Sequence, residues 1–431
     1  MKTKILCLAS TVAAAAYAVP VVQNLTFEQR TDKKVDITYT LTETPAIVTL
    51  DIQTNFVATV DATTLVTNWV TIGLSNIYYN LTDGSEAYRK VDGSGVHTIC
   101  WKPLEAWMDD SVPKKFNAGK MRAVVTAWST NAPPDYMVVD ISDGARPNTQ
   151  RYFQSADFVP EGVTNSATYR TTALLMRRIC AKGATVTLGP LYSTNTFNAI
   201  TRTVTLSNDF YMAVFETTQG QWRQIMGEYP PARSESTGNT YSYTNEVYRD
   251  MRPAQNISYT DIRTRIRGGV DYYGEDKDWP NDPEEESFLG RLRNKTGIAF
   301  DLPRENEWEY ACLCGRSNGY WNNGAVHNNL DGSMPGRHMD NGGADGTDYS
   351  CGPESGTAIC GSYEPSSWGI YDMHGNLREW CVDAFKDSIK TKVVRGGAYS
   401  DAPYLCRQHV RKGEYVTLQY FNLGCRVVCP L

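Results

Sequence analysis

The feature that most constrains this chain is a change of texture near residue 130. From Val19 to about Ser129, β-branched and polar residues alternate with period two. The clearest runs are Val35-Asp36-Ile37-Thr38-Tyr39, Ala46 to Ile52, Gly95 to Trp101 and Met121 to Trp128. Such alternation sends successive side chains to opposite faces of a half-buried strand. Asp, Gly and Asn turns separate the runs, which predicts an antiparallel β-sandwich of immunoglobulin type over 19–129. Asn131-Ala132-Pro133-Pro134-Asp135 breaks the pattern, and residues 130–169 read as a linker or a packed connection.

Beyond Tyr169 helix signals take over. Thr218 and Gln221 make a capping box for a helix that runs through Trp222, Ile225 and Met226 to Gly227. Ser258 with Asp261 opens a second, with Gly268-Gly269 as its stop. Asp282, Pro283 and Glu285 fit the N-cap, N1 and N3 positions of a third. That helix carries Phe288, Leu289 and Leu292 on one face and ends near Gly297. Glu284 to Glu286 would then complement its dipole. A fourth follows Pro303 and contains Trp308, Tyr310 and Ala311. Residues 315–362 are rich in Gly, Asn and aromatics. An irregular stretch that long needs an ion, a disulfide or aromatic packing to hold it.

The first residues set the compartment. Lys2 and Lys4 precede an apolar stretch from Ile5 to Ala16, and Ala16-Tyr17-Ala18 fits a small-x-small cleavage site. This predicts a signal peptide over 1–18 and a periplasmic or extracellular protein. No later run is long enough to span a bilayer. The 431 residues carry Lys+Arg 42 and Asp+Glu 48, a net charge of -6, so nucleic acid is not an expected partner. With only 5 His and no His-Glu-x-x-His, a zinc hydrolase is disfavoured. Phosphate-loop and Gly-x-Ser-x-Gly motifs are also absent from the sequence. Of 11 Cys, Cys7 leaves with the leader and Cys100 stands alone in the first region. The odd number left means at least one is unpaired or reaches across regions. Cys312 and Cys314 point to different helix faces, and Cys425 and Cys429 would lie about 13 Å apart along a strand. Cys351 and Cys360 are the best local pair.

The C-terminal half carries a series of blocks in order. They are Phe210 to Thr218, Arg252-Pro253-Ala254-Gln255-Asn256, Leu302 to Ala311, Trp368 to Trp380, Arg395-Gly396-Gly397-Ala398-Tyr399 and Gly424-Cys425-Arg426-Val427-Val428. On these residues, 170–431 resembles the formylglycine-generating enzyme family, also called sulfatase-modifying factor domains. The resemblance implies an α+β, C-type-lectin-like fold with much irregular backbone, here preceded by the antiparallel β-sandwich.

In that family the oxidase binds copper through two cysteines and uses oxygen to convert a sulfatase cysteine to formylglycine. Paired thiolates suit Cu(I), a soft ion. Asp401 falls at the first cysteine position and Cys406 at the second, so Cys406 is the one candidate catalytic residue and its partner is a hard oxygen ligand. Ala398 replaces the serine near the oxygen site, and Arg378 replaces the first tryptophan of the Gly-Asn-x-Trp-Glu-Trp block. These departures argue against copper. Cys381, Cys425 and Cys429 remain candidates to substitute for the lost ligand, and Cys406 itself also reads as a buried thiol or disulfide half.

The resemblance also implies a structural calcium site at Asp372, Gly375, Leu377 and Glu379, with two carboxylates and two backbone carbonyls. The alternative is that Asp372 caps a turn and Glu379 pairs with Arg395 or Arg378. A second calcium site would fall around Asn329, Leu330 and the 342–349 loop. Three function classes follow. One is an exported binding or structural protein whose partner is a carbohydrate or a cell-surface protein. Another is a formylglycine-generating oxidase with rearranged ligands. The third is an iron-dependent relative, whose added helical histidine domain finds no counterpart in this sequence.

Overall fold

The computed structural model describes residues 19–59, 65–103, 108–109, 112–113, 120–190, 201–231, 246–264, 283–317, 336–341, 356–386 and 388–431. The expected leader, the Gly268-Gly269 stop, Asp282, Cys351 and the second calcium site around Asn329 and Leu330 lie outside them. The chain divides into two compact units at Pro133/Pro134.

The first unit is built from strands, as its alternation predicts. They are β1 (Val21–Gln29), β2 (Val35–Thr42), β3 (Ala46–Thr59), β4 (Leu65–Thr71), β5 (Arg89–Val91), β6 (Gly95–Trp101), β7 (Met108–Asp109), β8 (Val112–Pro113) and β9 (Met121–Ser129). One short helix, α1 (Leu74–Tyr78), buries Leu74 and Ile77. Strands β1-β2-β6 make one antiparallel sheet; β3 pairs with β4, β5 and β9 in a second. Val35, Ile37, Tyr39 and Leu41 are fully buried while the residues between them are not. In β3 the whole stretch Ile47 to Ile52 is buried, so polar Thr49 needs a partner and accepts from Trp128 Nε1 at 2.9 Å.

The second unit contains β10 (Tyr136–Asp140), β11 (Arg151–Phe153), β12 (Ala173–Ile179), β13 (Thr185–Leu188), β14 (Arg202–Thr205), β15 (Phe210–Ala213), β16 (Arg378–Phe385), β17 (Ser388–Arg395), β18 (Lys412–Tyr415), β19 (Leu423–Gly424) and β20 (Val428–Pro430). Its helices are α2 (Gln219–Met226), α3 (Glu246–Asp250), α4 (Tyr259–Arg263), α5 (Phe288–Thr296) and α6 (Glu305–Cys312). A five-stranded sheet runs β11-β10-β12-β15-β20, a hairpin joins β13 to β14, and a four-stranded sheet runs β18-β17-β16-β19. Its one parallel pairing is β16 with β19. Trp308, Ala311, Met373, Cys381 and Val428 meet in one apolar core that ties α6 to these sheets. Mixed strands and short helices joined by long irregular backbone give the α+β class expected for this half.

Two expectations change and one pair of alternatives is decided. Residues 130–169 are the packed connection and not a linker: β10 lies between β11 and β12 with Tyr136, Met137 and Val139 buried. The run Tyr136-Met137-Val138-Val139 is short and apolar, so it joins the sheet, and the Pro-Pro pair marks the unit boundary instead. The third helix starts later than Asp282. Its N-cap is Ser287, whose Oγ accepts the Gly290 N–H at 3.1 Å, and Glu284 to Glu286 precede the helix. The second helix ends at Arg263, short of the glycine pair. No disulfide joins the described cysteines.

Candidate functional site

The Gly396-Gly397 pair at the end of β17 sets the geometry of the expected copper position. Both have positive φ. A Cβ on Gly397 would sit 2.6 Å from Cys406 Sγ and 2.7 Å from Cys406 Cα, so only glycine lets the two segments touch. Ala398 to Ser400 then turn back, with the Ala398 N–H on Asp401 Oδ2 at 2.9 Å and the Asp401 N–H on the Ala398 carbonyl at 2.9 Å.

Strand β16 places Arg378 opposite. Its Nε donates to Asp401 Oδ2 at 2.9 Å and its Nη2 to Oδ1 at 2.5 Å, a two-pronged ion pair with both side chains about nine-tenths buried. Arg378 Nη1 also donates to Asn422 Oδ1 at 3.3 Å, and Asn422 is held by Ser400 Oγ at 3.0 Å. Two departures that read as separate in the sequence are thus one paired unit. Cys406 is fully buried, its Sγ 3.8 Å from the Ala398 carbonyl and 3.9 Å from that of Ala402. Burial, and then the Asp401 charge, push this thiol far above its ordinary value, so it stays protonated. The donor set offered to copper is therefore one thiol and one carboxylate already committed to a guanidinium. It does not fit a dithiolate Cu(I) centre. Other thiols are placed elsewhere: Cys381 lies in the apolar core, Cys425 beside Thr217, and Cys429 Sγ points to the Pro430 carbonyl at 3.6 Å.

The residues of the expected calcium site surround a second buried cluster. Glu379 is neither paired with Arg395 nor with Arg378. Its Oε1 accepts Arg426 Nη2 at 2.7 Å and its Oε2 accepts Trp308 Nε1 at 2.6 Å. Arg395 instead binds Glu309 at 2.6 Å and Glu305 at 3.3 Å. The Gly375 N–H reaches the Gly396 carbonyl at 2.8 Å, and a Cβ there would strike the Arg337 carbonyl at 1.9 Å. The Leu377 N–H donates to Glu216 Oε1 at 3.0 Å. Asp372, at positive φ, accepts the Gly361 N–H on Oδ2 at 2.7 Å, while its Oδ1 is buried with no hydrogen-bond partner.

Glu216, three residues beyond the end of β15, is the member that sequence reasoning missed. Its Oε2 accepts Asn376 Nδ2 at 2.6 Å and lies 3.7 Å from Cys360 Sγ. Ligand atoms of Glu216, Cys360 and Asp372 all fall within 4.8 Å of one another. Burial, and then the charges of Asp372 and Glu379, push the Glu216 carboxyl well above the usual range. Burial raises Asp372 to about 6. The signal for Glu216 was present: one acid follows the apolar run Phe210 to Phe215.

A surface cleft of about 280 Å³ opens beside α2, lined by Trp222, Met226, Glu228, Tyr229, Pro231 and Asp261. Trp222 stacks on Phe288 at 4.8 Å, and the Arg249 guanidinium lies 3.5 Å above the Tyr229 ring. Among the described residues no helix is long and apolar enough to cross a membrane.

A family model described as Sulfatase-modifying factor enzyme 1-like domain matches residues 174–431. Chaperone protein LppX of Paenibacillus barcinonensis is 29% identical over 225 residues, covering 45% of this chain and 68% of its own. Treponema denticola variable protein 1 is 21% identical with a TM-score of 0.42, over 60% of this chain and 96% of that one. PvdO from Pseudomonas aeruginosa is 18% identical with a TM-score of 0.45, over 60% and 95%.

Proposed function

The chain belongs to the sulfatase-modifying factor domain family, and from that premise we propose that it is a binding member of the family, without the copper oxidase chemistry. One observation supports this reading: Asp401, at the position where the resemblance expects the first copper cysteine, is held by Arg378 in a buried two-pronged ion pair. Arg378 supplies the charge that Asp401 needs, so the pair satisfies itself and leaves Cys406 as the single buried thiol of the expected pair. The one curated relative named above is called a chaperone, a name compatible with a binding role. The partner is a protein or a carbohydrate outside the cytoplasm, reached after cleavage of the 1–18 leader. Exposed Tyr404, Tyr415 and Tyr420 on the same unit suit sugar faces or a protein surface.

Incubation with copper, oxygen and a Cys-x-Pro-x-Arg peptide tests the chemistry. The expected result is no aldehyde and no Cu(I) bound at one equivalent. Aldehyde formation that disappears in Cys406→Ser would overturn the proposal. A glycan array and a crosslinking screen against cell-envelope proteins test the binding role, and failure of both would count against it.

A further inference from the structure

We propose that Glu216, Cys360 and Asp372 form a site for a borderline divalent cation of the zinc class. Three observations converge on it. The three side chains are 1%, 0% and 2% exposed, come from three separate segments, and bring ligand atoms within 4.8 Å of one another. Asp372 Oδ1 is buried and has no hydrogen-bond partner, although an orphaned carboxylate oxygen is costly in a dry interior. Finally, the nearby guanidinium groups direct their hydrogen bonds to other acceptors, with Arg170 Nε left unbonded. Arg426 directs its donors to Glu379 and to the carbonyls of Ala213, Val214 and Tyr371. Arg170 gives Nη1 to the Cys360 carbonyl at 3.1 Å and Nη2 to the Thr164 carbonyl at 2.8 Å. Among the described residues, Glu216 and Asp372 therefore come together with no guanidinium hydrogen-bonded to either.

The ligand chemistry selects the ion. Calcium takes six to eight oxygens and has no use for sulfur. Two carboxylates with one thiolate match zinc, cobalt(II) or ferrous iron. Binding would release the Cys360 thiol proton to solvent together with any proton held on the ligating carboxyls, and the two positive charges of the ion would offset the negative charge so exposed. The outer partners are already in place. Gly361 N–H fixes Asp372, while Asn376 Nδ2 and Leu377 N–H fix Glu216. This site shares Asp372 with the expected calcium set but replaces Glu379, whose oxygens are occupied, with Glu216 and Cys360.

The full chain, stripped with chelator, is titrated with cobalt(II), whose bond to a thiolate gives a near-ultraviolet charge-transfer band. One equivalent of cobalt with that band is expected, displaced by zinc and not by calcium. Cys360→Ser should abolish the band, Asp372→Asn should weaken binding by about tenfold or more, and Cys406→Ser should leave both unchanged. Should Cys360→Ser fail to fold, zinc-edge X-ray absorption of the unaltered protein decides, with one sulfur neighbour expected. Absence of cobalt binding, a band that survives Cys360→Ser, or an all-oxygen shell would overturn the proposal.

Discussion

Replacing Arg378 by alanine strips Asp401 of its guanidinium while leaving the carboxylate about nine-tenths buried. Breaking a buried pair from one side costs about 3–5 kcal/mol, because the survivor is an uncompensated charge. Asp401 keeps the Ala398 N–H on Oδ2, which offsets part of the loss, so the lower half of that range is expected. For a unit of this size each kcal/mol moves the midpoint of thermal unfolding by about 2 °C, giving a fall of about 6–8 °C. Asp401→Leu alone should cost a similar amount, since it orphans the guanidinium. Arg378→Met with Asp401→Leu should cost much less than the sum, because an apolar pair of similar volume removes both charges together. Scanning calorimetry on the two single variants and the double variant reads the coupling directly. Additive losses, or single variants within about 1 kcal/mol of the unaltered protein, would refute the claim that the pair acts as a buried plug.

The same position offers a gain of function. Arg378→Trp with Asp401→Cys restores the family's residues beside Cys406, and stoichiometric Cu(I) binding should appear in a competition titration that the unaltered protein fails. Gly397→Ala should cost about 3 kcal/mol or more in calorimetry, since its Cβ meets the Cys406 backbone at positive φ. Thr218→Ala removes the acceptor for the Gln221 N–H and a donor to the Arg170 carbonyl, and should cost about 1–2 kcal/mol in denaturant unfolding. Burial lowers His374 to about 4 against an ordinary 6.5, so the unfolded chain binds a proton first as pH falls. Stability should therefore drop from about pH 6.5 toward pH 4, and at pH 5 this one residue accounts for about 2 kcal/mol. Stability curves of His374→Gln should be flatter across that window by this amount; identical slopes would contradict the assignment.

Local signals in the chain were readable where one segment decides the outcome. Thr218 with Gln221 and Ser258 with Asp261 form the capping boxes that their spacing predicts. Alternation in Val35 to Tyr39 correctly names the buried face of β2. Ser287 was passed over because Asp282-Pro283 is the louder start signal, although Ser287 is what accepts the helix N–H. The pairings that define the site were not readable. Arg378 meets Asp401 across 23 residues, Glu216 meets Asn376 across 160, and Arg426 meets Ala213 across 213. Each is a long-range contact set by topology, with no periodicity to announce it. Residues 136–139 leave linker and packed connection equally open in the sequence for the same reason: a short apolar run carries no partner, and β12 and β11 supply it only in the fold.

Arg426 also has a temporal consequence. It is made more than two hundred residues after the Ala213 and Val214 carbonyls it binds, and after Glu379, its ionic partner. A chain ended before residue 426 would leave Glu379 without its guanidinium and the Ala213, Val214 and Tyr371 carbonyls without that donor. Loop closure over such separations is slow. The hydrogen bonds of this cluster are therefore complete only in a chain that extends through residue 426.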